Sequence, residues 1–383
     1  MKKIFIYFLL FTSYNFAQEI TKAELVKTAK TFTLDTISYK LYGEGFEFLK
    51  VEMKTNQNFM LGEYHNSSLV SKFTQSLFPY LKEANFKVWV TEISPTSVRK
   101  LNSFLDSKDF TKNITDFTTK YGKNNDAIPF FSSSADFDML QASRNNGFEL
   151  WGLDQHYFGG FQFVMDDIFN GYDAKTKQEN STLLEDASKP NGNLAFSTLF
   201  DLSKNKLAQS IKKEMLESIA IYTDYSAGKY YQNNTVRSKL MKTNYNSYYT
   251  NYLNTKKVEP KAFFKFGSNH ISKGLSPLGI LDLGDFINQL SQMKNQESIH
   301  MQLCYRFELD KNVMTDRLTS GDYPIELLEL YKENEWVILD LRPFQAKLYN
   351  EQLKKTPKIE LSKEMIDCIK QFDVLILSPE KVK

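Results

Sequence analysis

Four short apolar segments, each running into a turn that carries an ionisable side chain, constrain this chain more than any other feature. Asn58-Phe59-Met60-Leu61-Gly62-Glu63 reads as a buried strand, as does Lys87-Val88-Trp89-Val90-Thr91-Glu92. Phe148 to Asp154 and Lys261 to Gly267 read the same way. Between the first two, Ser67 to Glu83 places Leu69, Val70, Phe73, Leu77 and Leu81 at helical spacing. This strand–helix–strand order favours a parallel pair joined by a right-handed crossover. The fold class is therefore α/β, with a mostly parallel central sheet flanked by helices.

The remaining segments fit round that sheet. Lys22 to Lys30, capped by Thr21, and Phe46 to Met53 read as helices, Leu101 to Phe117 as a helix or helix pair, and Phe137 to Asn145 as another helix. From Phe161 to Leu253 the strand signal disappears, and Lys206 to Tyr225 and Asn233 to Tyr252 are long helical patterns rich in Tyr, Asn and Lys. The expectation is a helical insertion over about residues 157–255, between the third and fourth core strands, acting as a lid. Ser298 to Phe307, Trp336 to Leu341 and Phe372 to Leu377 are expected to add C-terminal strands.

In an open α/β sheet, ligands bind outside the carboxyl ends of the strands. Here those ends are Gly62-Glu63-Tyr64-His65-Asn66, Glu92, Asp154-Gln155-His156 and Gly267-Ser268-Asn269-His270, and they hold three of the four histidines. Each residue has an ordinary reading: Glu92 as a solvated strand end, Asp154 as a helix cap, and His156 as a bystander beside Asp154. His300 begins a late strand without acidic neighbours and is set aside. The convergence of four strand ends on one edge is what points to a site.

Histidine takes a proton from water near neutral pH, and a carboxylate beside it orients the ring and supports its charge. His65 and His270 with Glu63 and Glu92 suffice for general acid–base hydrolysis. The same four residues would also satisfy a divalent metal holding an activated water. No Gly-x-Ser-x-Gly elbow and no glycine-rich phosphate loop occurs in the sequence, which argues against a serine triad and nucleotide chemistry.

The N-terminus bears on where this chemistry would happen. Met-Lys-Lys, an apolar run from Ile4 to Phe11 and a small residue at Ala17 read as a cleavable signal peptide over residues 1–17. The expected product is periplasmic or secreted, with residues 18–383 as one α/β domain. Loss of Lys2 and Lys3 takes the formal charge from +2 to zero, leaving no electrostatic case for a nucleic-acid partner. No later run is long enough to span a bilayer. Cys304 and Cys368 could pair in an oxidising compartment or remain two buried thiols. The expected partner is a small-molecule or peptide substrate.

Several of these pieces resemble the superfamily of erythromycin esterase-like proteins, ChaN-type haem-uptake proteins and Tiki-type proteases. They are Leu61-Gly62-Glu63-Tyr64-His65, Glu92, Arg144-Asn145-Asn146 leading to Gly152-Leu153-Asp154, Arg237-Ser238-Lys239-Leu240-Met241-Lys242-Thr243-Asn244, and Lys261 to Asn269-His270-Ile271. The resemblance implies a hydrolase in which Glu63 and Glu92 position His65 and His270, Asp154 supports them, and Arg237 stabilises an oxyanion or a substrate charge. Its ChaN branch implies instead a haem or iron-ligand site, with Tyr64, His65 and His156 as candidate ligands. One residue separates Glu63 from His65, where the esterase branch has two. Gly267 stands where that branch tends to place a further histidine. The branch is thus open.

Overall fold

The computed structural model describes residues 20–65, 67–122, 127–188, 193–203, 205–310 and 313–380. The expected signal peptide, residues 1–17, lies outside them. Nine strands form the main sheet: β1 (Ala29–Leu34), β2 (Leu41–Tyr42), β3 (Asn58–Glu63), β4 (Phe86–Thr91), β5 (Glu149–Gly152), β6 (Lys261–Gly267), β7 (Ser298–Cys304), β8 (Trp336–Asp340) and β9 (Val374–Leu377). Their spatial order is β2-β1-β8-β9-β7-β3-β6-β4-β5. The block from β9 to β5 is parallel. β8, β1 and β2 complete the edge in antiparallel pairing.

Helices cover both faces, so the central strands are apolar on both sides. Phe59, Leu61, Trp89 and Phe263 point into one core, and Met60, Val88, Val90, Phe264 and Phe266 into the other. That two-sided character decides the strand order. β3 and β4 are parallel, as the strand–helix–strand order suggests, but they do not pair with each other. β6 lies between them, bonded to both. Its Ala262-Phe263-Phe264 run is fully buried, which suits the middle of a sheet better than an edge.

Two other expectations need correction. The first helix stops at Lys27, and Ala29–Leu34 is a strand paired with β8. There Phe32 stacks on Trp336 at 5.7 Å, a contact that outweighs the helical spacing of Leu25 and Ala29. Leu101 to Phe117 is, as one of its two readings allowed, a helix pair, Pro95–Leu105 and Phe110–Tyr121. The first C-terminal strand ends at Cys304, and a separate hairpin, Phe307–Asp310 with Val313–Asp316, follows.

The described residues between β5 and β6 are largely helical, and their helices pack into both cores. In the long Tyr230–Lys256 helix, Tyr245 and Tyr252 are buried against Trp151, and Tyr245 also meets Phe264. Phe163, from the Phe161–Asn170 helix, fills the opposite core. Both cysteines are buried free thiols.

The helix Leu283–Met293 is drawn tightly against the short turn after β6. A Cβ on Gly284 would lie 2.2 Å from the Ile271 carbonyl carbon and oxygen. Gly284→Ala is therefore expected to displace that helix and lower stability by at least about 2 kcal/mol, within the range that overpacking costs. Urea unfolding reads this directly, and a midpoint equal to that of the wild type would contradict the packing described.

Candidate functional site

The parallel strands deliver their ends to one edge, and two glycines let those ends come together. A Cβ on Gly62 would lie 2.9 Å from the Ile271 side chain and from Ser268 Cα. One on Gly152 would lie 2.6 Å from the Ile93 and Ser94 carbonyl oxygens. Beyond these points stand Glu63 at the end of β3 and His65 after it, Glu92 after β4, Asp154 after β5, and His270 on the helical turn Ser268–Ile271 after β6. Arg237 reaches the same place from the Tyr230–Lys256 helix. Four residues along that helix Met241 is buried, and seven along Asn244 donates to the Leu153 carbonyl at 2.7 Å. Spacings of four and seven put all three on one helix face. The Arg–Met–Asn pattern in the sequence is thus the docking face of this helix.

Glu92 is the centre of the cluster. Its Oε1 accepts from Arg237 Nη2 at 2.7 Å, and its Oε2 accepts from the Gly267 backbone N–H at 2.6 Å. His270 Nε2 lies 3.4 Å from Oε1 and His65 Nε2 lies 3.5 Å from Oε2, so one carboxylate sits between two imidazoles. Each ring is held at its other nitrogen by a second carboxylate. His65 Nδ1 is 3.2 Å from Glu63 Oε1, and His270 Nδ1 is 2.7 Å from Asp282 Oδ2. Arg237 grips Asp154 with Nε at 2.9 Å and Nη2 at 2.6 Å. Lys265 donates to Glu63 at 2.5 Å. Phe130, held at φ +65°, stacks on His65 with ring centres 4.0 Å apart.

Buried charges persist only when they are paired. Here Glu63, Glu92, Asp154 and Asp282 face the fixed cations Lys265 and Arg237 and the two imidazoles. Burial alone would favour neutral Glu92, but His270, His65, Arg237 and the Gly267 N–H hold its carboxyl down to about 2. For Glu63, Lys265 and His65 overcome burial and hold the carboxyl below its ordinary value. For His270, burial and Arg237 oppose the charged ring while Glu92 and Asp282 favour it, and the balance is upward.

All six residues expected at the site meet there: Glu63, His65, Glu92, Asp154, Arg237 and His270. Arg237 is committed to carboxylates through Nε and Nη2, which makes it a clamp on Glu92 and Asp154. His156 does not join them. It is fully buried, with Nδ1 2.8 Å from Ser94 Oγ, and burial lowers its pKa to about 4. Arg144 pairs with Asp106 in a half-exposed ion pair that includes none of the site residues. Lys265 and Asp282 were not singled out from the sequence. Lys265 did leave a signal, a lone charge inside Phe-Phe-Lys-Phe, whereas Asp282 lies in an ordinary capping position.

The cluster lines a cavity of about 900 Å³. Tyr157, Tyr222 and Tyr225 line it from the helical region, and Pro277 and Leu278 from the loop between His270 and Asp282. The residues do not fit a divalent metal in this arrangement, because an ion bound at Glu92 would lie against the Arg237 guanidinium. Among the described residues, no group of three or more His, Cys, Asp or Glu side chains is placed to hold one. Nor do they fit haem. Both nitrogens of His65 face carboxylates, His156 is enclosed, and the Arg317 guanidinium covers the Tyr64 ring at 3.5 Å.

No family model matches the chain, and no curated protein matches it. Solved structures do match in shape. A mutant of erythromycin esterase EreC in its open conformation aligns over 93% of this chain and 98% of its own, at 14% identity and a TM-score of 0.57. A succinoglycan biosynthesis protein aligns over 94% and 97%, at 16% identity and 0.55. A further protein, from Bacillus cereus, aligns over 94% and 97%, at 15% identity and 0.53. The chain therefore has the erythromycin esterase-like fold that its sequence resembles.

The paired His270 makes a signed prediction. Its folded-state pKa is raised, so its stabilisation is complete below about 6.5, the ordinary imidazole value, and is lost as pH rises through the higher folded value. His156 and His300, both lowered to about 4, act in the opposite sense, but they are common to wild type and variant. The stability difference between wild type and His270→Asn should be largest below about pH 6.5 and shrink above it. Urea unfolding from pH 5 to 9 measures it, and a difference that grows with pH would contradict the pairing.

Proposed function

We propose that this chain is an exported hydrolase that activates water with an imidazole and a carboxylate. The observation that carries the reading is Glu92 between two imidazoles, at 3.4 and 3.5 Å, in the wall of a cavity large enough for a small-molecule or peptide substrate. The shared fold with an erythromycin esterase supports ester or lactone bonds as the first class to test. Export rests on the N-terminal pattern of residues 1–17.

The two histidines differ in what they can do. The His65 side chain is 29% exposed, which lets a water reach it, whereas that of His270 is 8% exposed. With Nδ1–H directed at Glu63, His65 would take the proton from water at Nε2, beside Glu92 Oε2 at 3.5 Å. The water oxygen then bonds to the acyl carbon. His270, whose charged form Glu92 and Asp282 favour, stands near the negative charge that develops on the carbonyl oxygen. Collapse of the tetrahedral species breaks the bond to the leaving oxygen, which takes the proton back from His65. Arg237 acts by fixing Glu92 and Asp154.

The test is a panel of esters, lactones and peptides assayed with wild type, His65→Ala and His270→Ala. Turnover of at least one ester or lactone is expected, with His65→Ala reduced by about 10²–10⁴, the usual contribution of a general base. Exhaustive dialysis against a chelator is expected to leave the wild-type rate unchanged. Equal, negligible turnover by all three proteins, with and without added divalent metal, would end this reading. Rate lost on chelation and restored by metal would replace the mechanism.

A further inference from the structure

Lys265 is out of place as a structural residue. It lies in the middle of the sheet on β6, between Phe264 and Phe266, and is 7% exposed. Burying an ammonium costs several kcal/mol before any partner repays it, and an apolar side chain of similar volume fills such a position as well or better. Its partner is Glu63, 2.5 Å away, through the same Oε1 that faces His65 Nδ1. Removing the ammonium would leave a carboxylate buried without a fixed cation, and such a group takes up a proton.

The consequence falls on His65. An ionised carboxylate only accepts hydrogen bonds, whereas a protonated one also donates. Facing an ionised Glu63 at hydrogen-bond distance, neutral His65 carries its proton on Nδ1, leaving the Nε2 lone pair unprotonated beside Glu92. Facing a protonated Glu63, it can accept at Nδ1 and carry the proton on Nε2, where it is no base for water. Glu92 lies 3.5 Å from Nε2, with Arg237 and His270 beyond it, and Phe130 covers a ring face. Glu92 competes for the ring proton from the Nε2 side, but both its oxygens already accept, from Arg237 and the Gly267 N–H, and only the Nδ1–Glu63 contact has hydrogen-bond geometry, so the Glu63 side decides the tautomer.

We propose that Lys265 is a positioning residue, which keeps Glu63 ionised and so fixes His65 as the Nδ1–H tautomer with a free Nε2. This assignment rests on the proposed role of His65 as the base. It gives the Lys265–Glu63–His65 line a purpose that charge neutralisation alone would not.

Ring nitrogens can be read by long-range ¹⁵N–¹H correlation spectra, and with four histidines in the chain the signals are assignable by substitution. At pH 8, where a buried carboxyl without its cation can still hold a proton, wild type and Lys265→Arg should show His65 as Nδ1–H. Lys265→Met should show Nε2–H, with His156, His270 and His300 unchanged as evidence of an intact fold. If the Met variant does not fold, Lys265→Gln, which keeps a hydrogen bond to Glu63 without the charge, serves in its place. Where an ester is turned over, kcat should fall about 10²-fold in the Met variant with KM little changed, and Arg should restore most of it. An Nδ1–H tautomer that survives in Lys265→Met or Gln, or a wild-type His65 protonated at Nε2, overturns the proposal. Because the spectra need no substrate, an inactive wild type would sink the hydrolase reading without deciding this one.

Discussion

The structure turns on one buried anion. Glu92 is ionised, almost fully enclosed, and shared by Arg237, the Gly267 backbone, His65 and His270. A lone carboxylate in that position would be prohibitively costly, so each partner has to arrive with its own support. Arg237 comes with Asp154, His65 with Glu63 and Lys265, and His270 with Asp282. The result is a network in which each of these buried charges has an opposite partner.

Chain order and spatial order differ in a way that makes this network possible. β6 is inserted between β3 and β4, although more than 160 residues separate β4 from β6 in the sequence. Its end therefore lies between His65 and Glu92. Gly267 is the point of closest approach: a Cβ there would lie 2.8 Å from His65 Nε2 and 3.3 Å from Glu92 Oε2. In this arrangement the position has no room for a side chain, and its N–H serves as a ligand for Glu92.

Much of this was legible in the sequence because it depends on local pattern. Strand ends carrying Glu63, Glu92, Asp154 and His270 can be read from periodicity, and the rule for parallel sheets puts them on one edge. The position of β6 was not legible, because sequential adjacency is only a tendency and burial on both faces overrides it. Ala29 to Leu34 was hidden by the overlap of helical spacing with a strand whose main contact, Trp336, is over 300 residues away. Arg237 was found, but its pairing with Glu92 and Asp154 was not legible, since a guanidinium's partners depend on which carboxylates the fold brings to it. Lys265 and Asp282 act through a second residue, and single-sequence patterns carry little trace of such couplings.

The central claim is that Glu92, as an anion, organises both histidines for water activation. Glu92→Gln keeps the size and can still accept from the Gly267 N–H, so the fold should survive. The decisive measurement is kcat/KM of that variant on an ester the wild type hydrolyses, with folding checked by circular dichroism. The account predicts a loss of about 10²–10³-fold, the scale seen when one preorganised electrostatic group is removed from an active site. A folded variant within about twofold of wild type, far below the contribution of such a group, would contradict it.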